Sequence, residues 1–258
     1  MAHIVDWDDA AADWERFALV VVRSTWDYAP RRDEFVAWAD GVAAVTMLFN
    51  PADVLRWNTD KRYLRDLQAG GVPIVPTTWI ERGDAFHPPD DVDFVVKPAV
   101  SAGAKHTARY GPSEADAARE QVRHLTEAGR SVMIQPYVAG IEDHGETGLV
   151  FCADRFSHAI SKAPILGPSV SFIDGLYAEE RITPRSPSDA ELSLAERILD
   201  LVPRGRERLL YARVDLVPGR IGPVLLELEA TEPSLFLDCA PGSADRFAAA
   251  IAERIAAP

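Results

Sequence analysis

The stretch VLLELEA, residues 224–230, decides how the rest of the chain reads. Val224, Leu225, Leu226, Leu228 and Ala230 ask for a buried strand, and Glu227 and Glu229 do not. Successive strand side chains point to opposite faces, so the two carboxylates share one face and Leu226 and Leu228 share the other. A hairpin partner lies just upstream: LLYARVDLVPGRIGP (209–223) is an apolar run that turns at Pro218-Gly219. With the turn centred near residue 221, Asp215 stands opposite Glu227, and Arg213 shares the face of Asp215. Three carboxylates on one patch repel one another, and partial burial aggravates the repulsion. A divalent cation relieves it, because Mg²⁺ is hard, prefers oxygen and is held by a few carboxylates plus substrate phosphates. The other reading is the solvent-facing polar side of an edge hairpin. On the hairpin alone both stand.

The 258 residues suffice for two or three subdomains with a sizeable core. A net charge of −13 argues against a nucleic-acid partner, which calls for a basic footprint. It leaves a local basic pocket for a small anion open. No apolar run reaches the length of a membrane span and no signal peptide is visible, so no membrane partner is expected. Cys152 and Cys239 make neither a disulfide framework nor a zinc pattern, and a reducing cytoplasm is the expected compartment.

Elements of both kinds alternate along the chain. FALVVVRST (17–25) reads as a buried parallel strand whose C-terminal end carries Arg23, Ser24 and Thr25, where ligands collect in open α/β sheets. A helix over 31–42 and a strand over 45–51, stopped by Asn50-Pro51, follow. Residues 58–73 predict a helix ended by Gly70-Gly71, with Lys61 in its first turns. Strands are expected within 71–80, over 91–100 with Lys97 near its end, and over 131–138, broken at Pro136. Between the last two lie a small-residue loop, SAGAKHTARYG, and a helix over 113–129 with Ser113 as N-cap. Residues 148–164 read as a hairpin around Ala153-Asp154. Residues 191–203 and 243–257 read as amphipathic helices.

Lys97 ends an apolar strand, where a lysine is either a snorkelling edge charge or an anion ligand. Ser101, Ala102 and Gly103 behind it let backbone approach phosphates closely. No Walker or GxGxxG fingerprint occurs. Pro136 ends ladder pairing in MIQPYV and leaves a short connector that can pair with an adenine edge.

A lysine early in a helix, a VVKP strand, a small-residue loop, an IQPYV hinge and an acidic hairpin come in that order. The series resembles the ATP-grasp superfamily of ATP-dependent carboxylate ligases. The matching stretches are NPADVLRWNTDKRYL, VVKPAVSAGAKHTARY, MIQPYVAGIEDHGETGLVF, FSHAISKAP, YARVDL and LLELEATEPSLFLD. The branch that carries RSTWDY, here residues 23–28, is similar to glutathione synthetase and includes the cyclo-ligase of D-cycloserine biosynthesis. The resemblance implies an α+β and α/β fold in which two β-rich subdomains grip ATP. It divides the chain into a shortened N-terminal α/β domain (1–58), a central lid subdomain (59–134) and a C-terminal subdomain with the metal site (135–258).

It further implies roles for single residues. Lys61 and Lys97 contact phosphates and adenine, and residues 101–106, including Ser101, Ala102, Gly103 and Lys105, lie over the phosphates. Gln135, Tyr137 and Val138 bracket the adenine and Glu142 binds ribose. Asp215, Glu227 and Glu229 hold two Mg²⁺ ions, with Mn²⁺ as an alternative. Arg213 and Lys162 serve the reacting phosphoryl group. The implied reaction is C–N ligation through an acylphosphate, giving ADP and phosphate from a small carboxylate and an amine. An ATP-binding protein without ligase turnover and a phosphotransferase are the competing functions. A homodimer is a further expectation.

Around the cleft, Trp26 and Glu146 are candidate substrate-side groups, Asp27 either binds a substrate amine or caps a turn, His144 reads as part of a solvated loop ahead of a substrate-side group, and His158 reads as a structural histidine. Two departures stand out. Relatives begin with another strand and helix before the WDD segment, which implies a clipped N-terminal domain here. They also carry an arginine in a GDFR-like stretch after the KxP turn. This chain reads APILGPSVSFIDGLYAEER (163–181), with Ser169 and Ser171 nearby and Arg181 as the candidate substitute.

Overall fold

The structure, a computed structural model, describes residues 1–164, 166, 172–173 and 181–256. Ser169 and Ser171 lie outside these residues. In chain order, β1 (Leu19–Val21), α1 (Arg32–Val45) and β2 (Met47–Phe49) form a parallel βαβ unit. The helices α2 (Ala52–Asn58) and α3 (Tyr63–Ala69) follow, then β3 (Thr78–Ile80), β4 (Phe94–Pro98), β5 (Thr107–Tyr110), α4 (Ala115–Glu127), β6 (Val132–Pro136) and α5 (Gly140–His144). The chain continues through β7 (Glu146–Cys152), β8 (Arg155–Lys162), β9 (Phe172–Ile173), β10 (Ile182–Arg185) and α6 (Asp189–Asp200). It ends with β11 (Tyr211–Pro218), β12 (Pro223–Glu229) and α7 (Ser243–Ala256).

Among the described residues, two five-stranded sheets carry the molecule, in the orders β3-β6-β4-β5-β9 and β10-β8-β7-β11-β12. The first is the lid sheet. Its inner face, Phe94, Val96, Val132 and Ile134, is covered by Ala118, Val122 and Leu125 of α4. A period of two therefore meets a helical stripe, as burying one face of each requires. All of β6 pairs within this sheet, from Val132 opposite Pro98 to Pro136 opposite Phe94. The second sheet packs on α3 and α6, and its core includes Leu149, Phe151, Val214, Leu225 and Leu228. Truncating Leu228 to alanine there would cost about 2–5 kcal/mol.

Local details depart from the sequence reading. Tyr63, and not Asn58, opens α3, so Lys61 sits in the turn before the helix. The Lys61 amide donates to Ala99 O at 2.9 Å, and Asp60 accepts from the Arg62 amide at 3.0 Å, which holds the turn out of the helical ladder. Ser113 is not a cap: Pro112–Glu114 form a 3-10 turn, and Glu114 accepts from the Gly111 amide at 2.8 Å. The short elements α5, β9 and β10 have no signal in the sequence pattern.

The acidic hairpin carries the main correction. Asp215 pairs with Glu227 and Arg213 with Glu229, but Leu216 pairs with Leu225, so Leu226 has no partner. This β-bulge resets the alternation. Leu225 joins Leu228 in the core, while Leu226 turns to the same side as Glu227 and Glu229.

Candidate active site

The two sheets face each other across a cleft of about 420 Å³. The lid side contributes Lys97, Ser101, Ala102, Gly103, Gln135, Tyr137 and Val138. The hairpin side contributes Lys162, Arg213, Glu227 and Glu229, and Lys61 reaches in from its turn.

Asp215 lies beneath this floor and is almost wholly buried. Arg213 grips it with two bonds of 2.8 Å, Nε to Oδ1 and Nη2 to Oδ2, and also pairs with Glu229. Lys162 bridges Glu146 at 2.7 Å and Asp215 at 3.3 Å. Gly148, opposite Asp215 on β7, makes room: a Cβ there would stand 3.0 Å from Asp215 Oδ1. Although burial opposes its ionisation, Arg213 and Lys162 hold Asp215 well below the usual carboxylate range. Burial pushes Glu229 up to about 7, with Asp215 and Glu227 adding to it against the pull of Arg213. It pushes Glu146 up to about 8 despite Lys162. Among the described residues no group of three His, Cys, Asp or Glu side chains is arranged to hold a metal as it stands. Each carboxylate of the hairpin is taken by a cation instead.

Two lysines line the cleft in different states. Lys61 Nζ is paired with Glu227 at 3.1 Å and donates to Ser101 O at 2.9 Å. Burial disfavours its charge, but Glu227 more than compensates, and its pKa stands above the ordinary lysine value. Lys97 is 9% exposed and, among the described residues, has no hydrogen-bonded or ion-paired partner. Burial lowers its pKa; Glu227 opposes this, while Lys61 and Lys162 add to it. A buried ammonium without a counterion is a ready receptor for an anion. Behind it the loop holds Gly103, Ala104 and His106 at φ of +65°, +60° and +60°, backbone that the two non-glycine residues rarely adopt.

Lys105 and Glu142 are not brought to the cleft wall. Lys105 is exposed, and Glu142 is exposed and pairs with Arg109 at 2.9 Å. His144 is exposed, and Asp27 faces the N-terminal aromatic cluster, accepting from Trp7 Nε1 at 3.1 Å and pairing with Arg31. Arg181 is exposed, and its carbonyl accepts from the Ala163 amide. His158 is buried and satisfied by Leu235 O at 2.9 Å and Ser157 Oγ at 3.0 Å. Trp26 and Glu146 do line the cleft. So does Glu232, which sequence reasoning passed over. Its signal was a lone acid inside the apolar run ATEPSLFL. Burial and then the nearby Glu229 push it up to about 8.

Comparison with known proteins places this geometry. The model for the N-terminal domain of D-cycloserine synthetase DcsG matches residues 1–50. The cycloserine biosynthesis protein DcsG of Streptomyces lavendulae is 40% identical over 271 residues, covering 98% of this chain and 89% of the relative. The chain belongs to the DcsG family of ATP-grasp ligases. The crystal structure of D-cycloserine synthetase DcsG matches with a TM-score of 0.87 at 37% identity, again over 98% and 89% of the two chains. D-alanine–D-alanine ligase from Bacillus anthracis shares the fold, with a TM-score of 0.59 at 16% identity over 80% and 69%. So does the ATP-grasp ligase PsnB, solved with a precursor variant, Mg and ADP, at 0.60 and 19% over 92% and 79%. This DcsG-family protein is thus an ATP-dependent, ADP-forming ligase of C–N bonds with an α+β ATP-grasp fold. Among the described residues no helix is long and apolar enough to cross a membrane.

Proposed function

We propose that this ligase activates the carboxylate of a small amino-acid-like metabolite as an acylphosphate and closes it on an amine, by ring closure of the kind that forms cycloserine. One observation carries the reading: a single cleft presents Lys61, Lys97, Lys162 and Arg213 beside Glu227 and Glu229. Such a reaction needs positioning and charge neutralisation, and no protein nucleophile.

The residues fit a magnesium nucleotide. Glu227 and Glu229 keep about a quarter of their side chains exposed toward the cleft, whereas Asp215 backs them from below. Glu227, Glu229 and Asp215 would hold Mg²⁺, in one or two ions, with Mn²⁺ as a substitute. Bound metal supplies charge neutralisation at phosphate oxygens. Lys61 and Arg213, released from Glu227 and Glu229, would then face phosphate and carboxylate oxygens, with Lys97 and Lys162 beside them. Gln135, Tyr137 and Val138 would flank the base.

In the first step a substrate carboxylate oxygen bonds to the γ-phosphorus and ADP leaves. In the second the amine nitrogen bonds to the acyl carbon, phosphate leaves and the nitrogen gives up a proton. Calorimetry of ATP with and without Mg²⁺ tests the reading, on the wild type and on Glu227→Ala/Glu229→Ala. Metal-dependent binding lost in the double variant supports it, and a wild type indifferent to ATP and Mg²⁺ removes it. ADP release without an amide product would point to a phosphotransferase.

A further inference from the structure

The segment after the acidic hairpin is built with unusual completeness for a non-repetitive stretch. Residues 230–235 present six successive carbonyls, and a side chain from elsewhere in the molecule holds each one. The donors are, in order, Asn50 Nδ2 at 2.6 Å, Tyr211 Oη at 2.7 Å, Trp26 Nε1 at 3.1 Å, Arg23 Nη1 at 2.8 Å, Arg213 Nη1 at 2.8 Å and His158 Nε2 at 2.9 Å. Backbone held this way fixes where its side chains point. The side chain so fixed at the cleft is Glu232, which is 8% exposed.

Glu232 differs from the other carboxyl groups of the site. Glu227 pairs with Lys61, Glu229 and Asp215 with Arg213, and Glu146 with Lys162. Among the described residues no cation stands within ion-pair distance of Glu232. Its polar neighbour is the hydroxyl of Tyr28, a buried residue of the N-terminal unit. A buried carboxyl that Lys61 acts on only from beyond ion-pair distance, and that lines a binding cleft, is complementary to a cationic group on the ligand.

We infer that Glu232 receives the ammonium group of an amino-acid substrate, with Tyr28 as its positioning residue, while Arg213 and Lys162 face the substrate carboxylate. This rests on the ligase reading and adds to it a specificity-determining residue, Glu232, so that the substrate is oriented by one contact at each end. It also assigns the N-terminal unit a part in selectivity, through Tyr28 and through the Trp26 and Arg23 bonds to the segment.

The test compares D-cycloserine with the same ring lacking its amino group, each titrated by calorimetry in the presence of ADP and Mg²⁺. Wild type should prefer the amine-bearing ring by at least about tenfold, as a site built to bond a polar group rejects the analogue that lacks it. Glu232→Gln should bring the two rings to near-equal affinity, and Tyr28→Phe, which keeps the fold, should narrow the gap. Both variants should keep the wild-type affinity for ATP with Mg²⁺. Failure of wild type to prefer the amine-bearing ring, or a preference that survives Glu232→Gln, overturns the inference. So does loss of Mg²⁺-dependent ATP binding in Glu232→Gln, which would make Glu232 a metal ligand. If wild type binds ATP with Mg²⁺ and yet ignores the amino group, only this inference fails. If wild type does not bind ATP with Mg²⁺, the ligase reading fails first.

Discussion

The two five-stranded sheets meet at one cleft but prepare it in opposite ways. The hairpin sheet brings its own counter-ions. Arg213 sits on the same strand as Asp215 and directly across from Glu229, and Lys162 closes the gap to Glu146. The lid sheet brings Lys97 and, among the described residues, nothing to pair it. One wall meets its carboxylates with cations already in place, Arg213 and Lys162 from the sheet itself and Lys61 from the turn before α3, while the other holds a desolvated charge that a bound anion would relieve. Removing a cation from the first wall should therefore harm the fold, and removing the cation from the second should harm only binding.

Arg213→Ala is the hardest blow to that contrast. It strands Asp215 as a buried, half-paired carboxylate and releases the Ser234 carbonyl, so urea unfolding should report a loss of about 3–5 kcal/mol. A loss below about 1 kcal/mol, the range of an exposed pair, would deny that the hairpin wall depends on its internal cations. Glu227→Gln should come next. It removes one carboxylate from the metal-facing side, and calorimetry should show Mg²⁺-dependent ATP affinity lower by more than about tenfold, the lower bound for even an indirect ligand contact. The variant should remain folded by circular dichroism, since Tyr63 and Asn58 hold the Leu228 backbone along the outer edge of β12.

Lys97→Met sharpens the comparison most directly, because it should move two quantities in opposite directions. ATP affinity should fall by about tenfold, or ~1.4 kcal/mol. Stability at neutral pH should hold or rise. The folded state holds the Lys97 pKa below its ordinary value, chiefly through burial, so it sheds that proton more readily than the unfolded chain. The penalty on folding is then full below the folded pKa and fades as pH climbs toward the ordinary lysine value. Denaturant midpoints should thus show a Met advantage at pH 7 that shrinks toward pH 10, and a wild type more stable than Lys97→Met at pH 7 would break the contrast. The smallest effect is expected from Arg123→Ala, which removes exposed pairs with Glu120 and Glu127 on α4, behind the lid sheet. Neither the melting midpoint nor ATP affinity should change measurably.

Period-two patterning made the acidic hairpin readable before any coordinates, including the pairing of Asp215 with Glu227, because turn length and alternation fix register. The helix over 113–129 and the 148–164 hairpin were legible for the same reason: each declares itself within its own window. The bulge at Leu226 was not, since LLELE has no glycine or proline to mark it. Lys61 reads as helical in the sequence because the bond that unwinds its turn goes to Ala99, far along the chain. Glu232 was hidden for a related reason. Its setting is made by Tyr28, Trp26 and Arg23, about two hundred residues upstream, and no local pattern encodes that distance.

The unpaired Leu226 has a consequence for insertions and deletions. In an ordinary strand, losing one residue turns every later side chain inside out. Here the ladder already skips Leu226, and its neighbours Leu225 and Glu227 hold consecutive rungs. A chain lacking Leu226 would keep Leu225 and Leu228 in the core and Glu227 and Glu229 toward the cleft. It would lose only an apolar piece of cleft wall. This one position lets the gene shorten by a codon and widen the pocket while the acidic face keeps its frame.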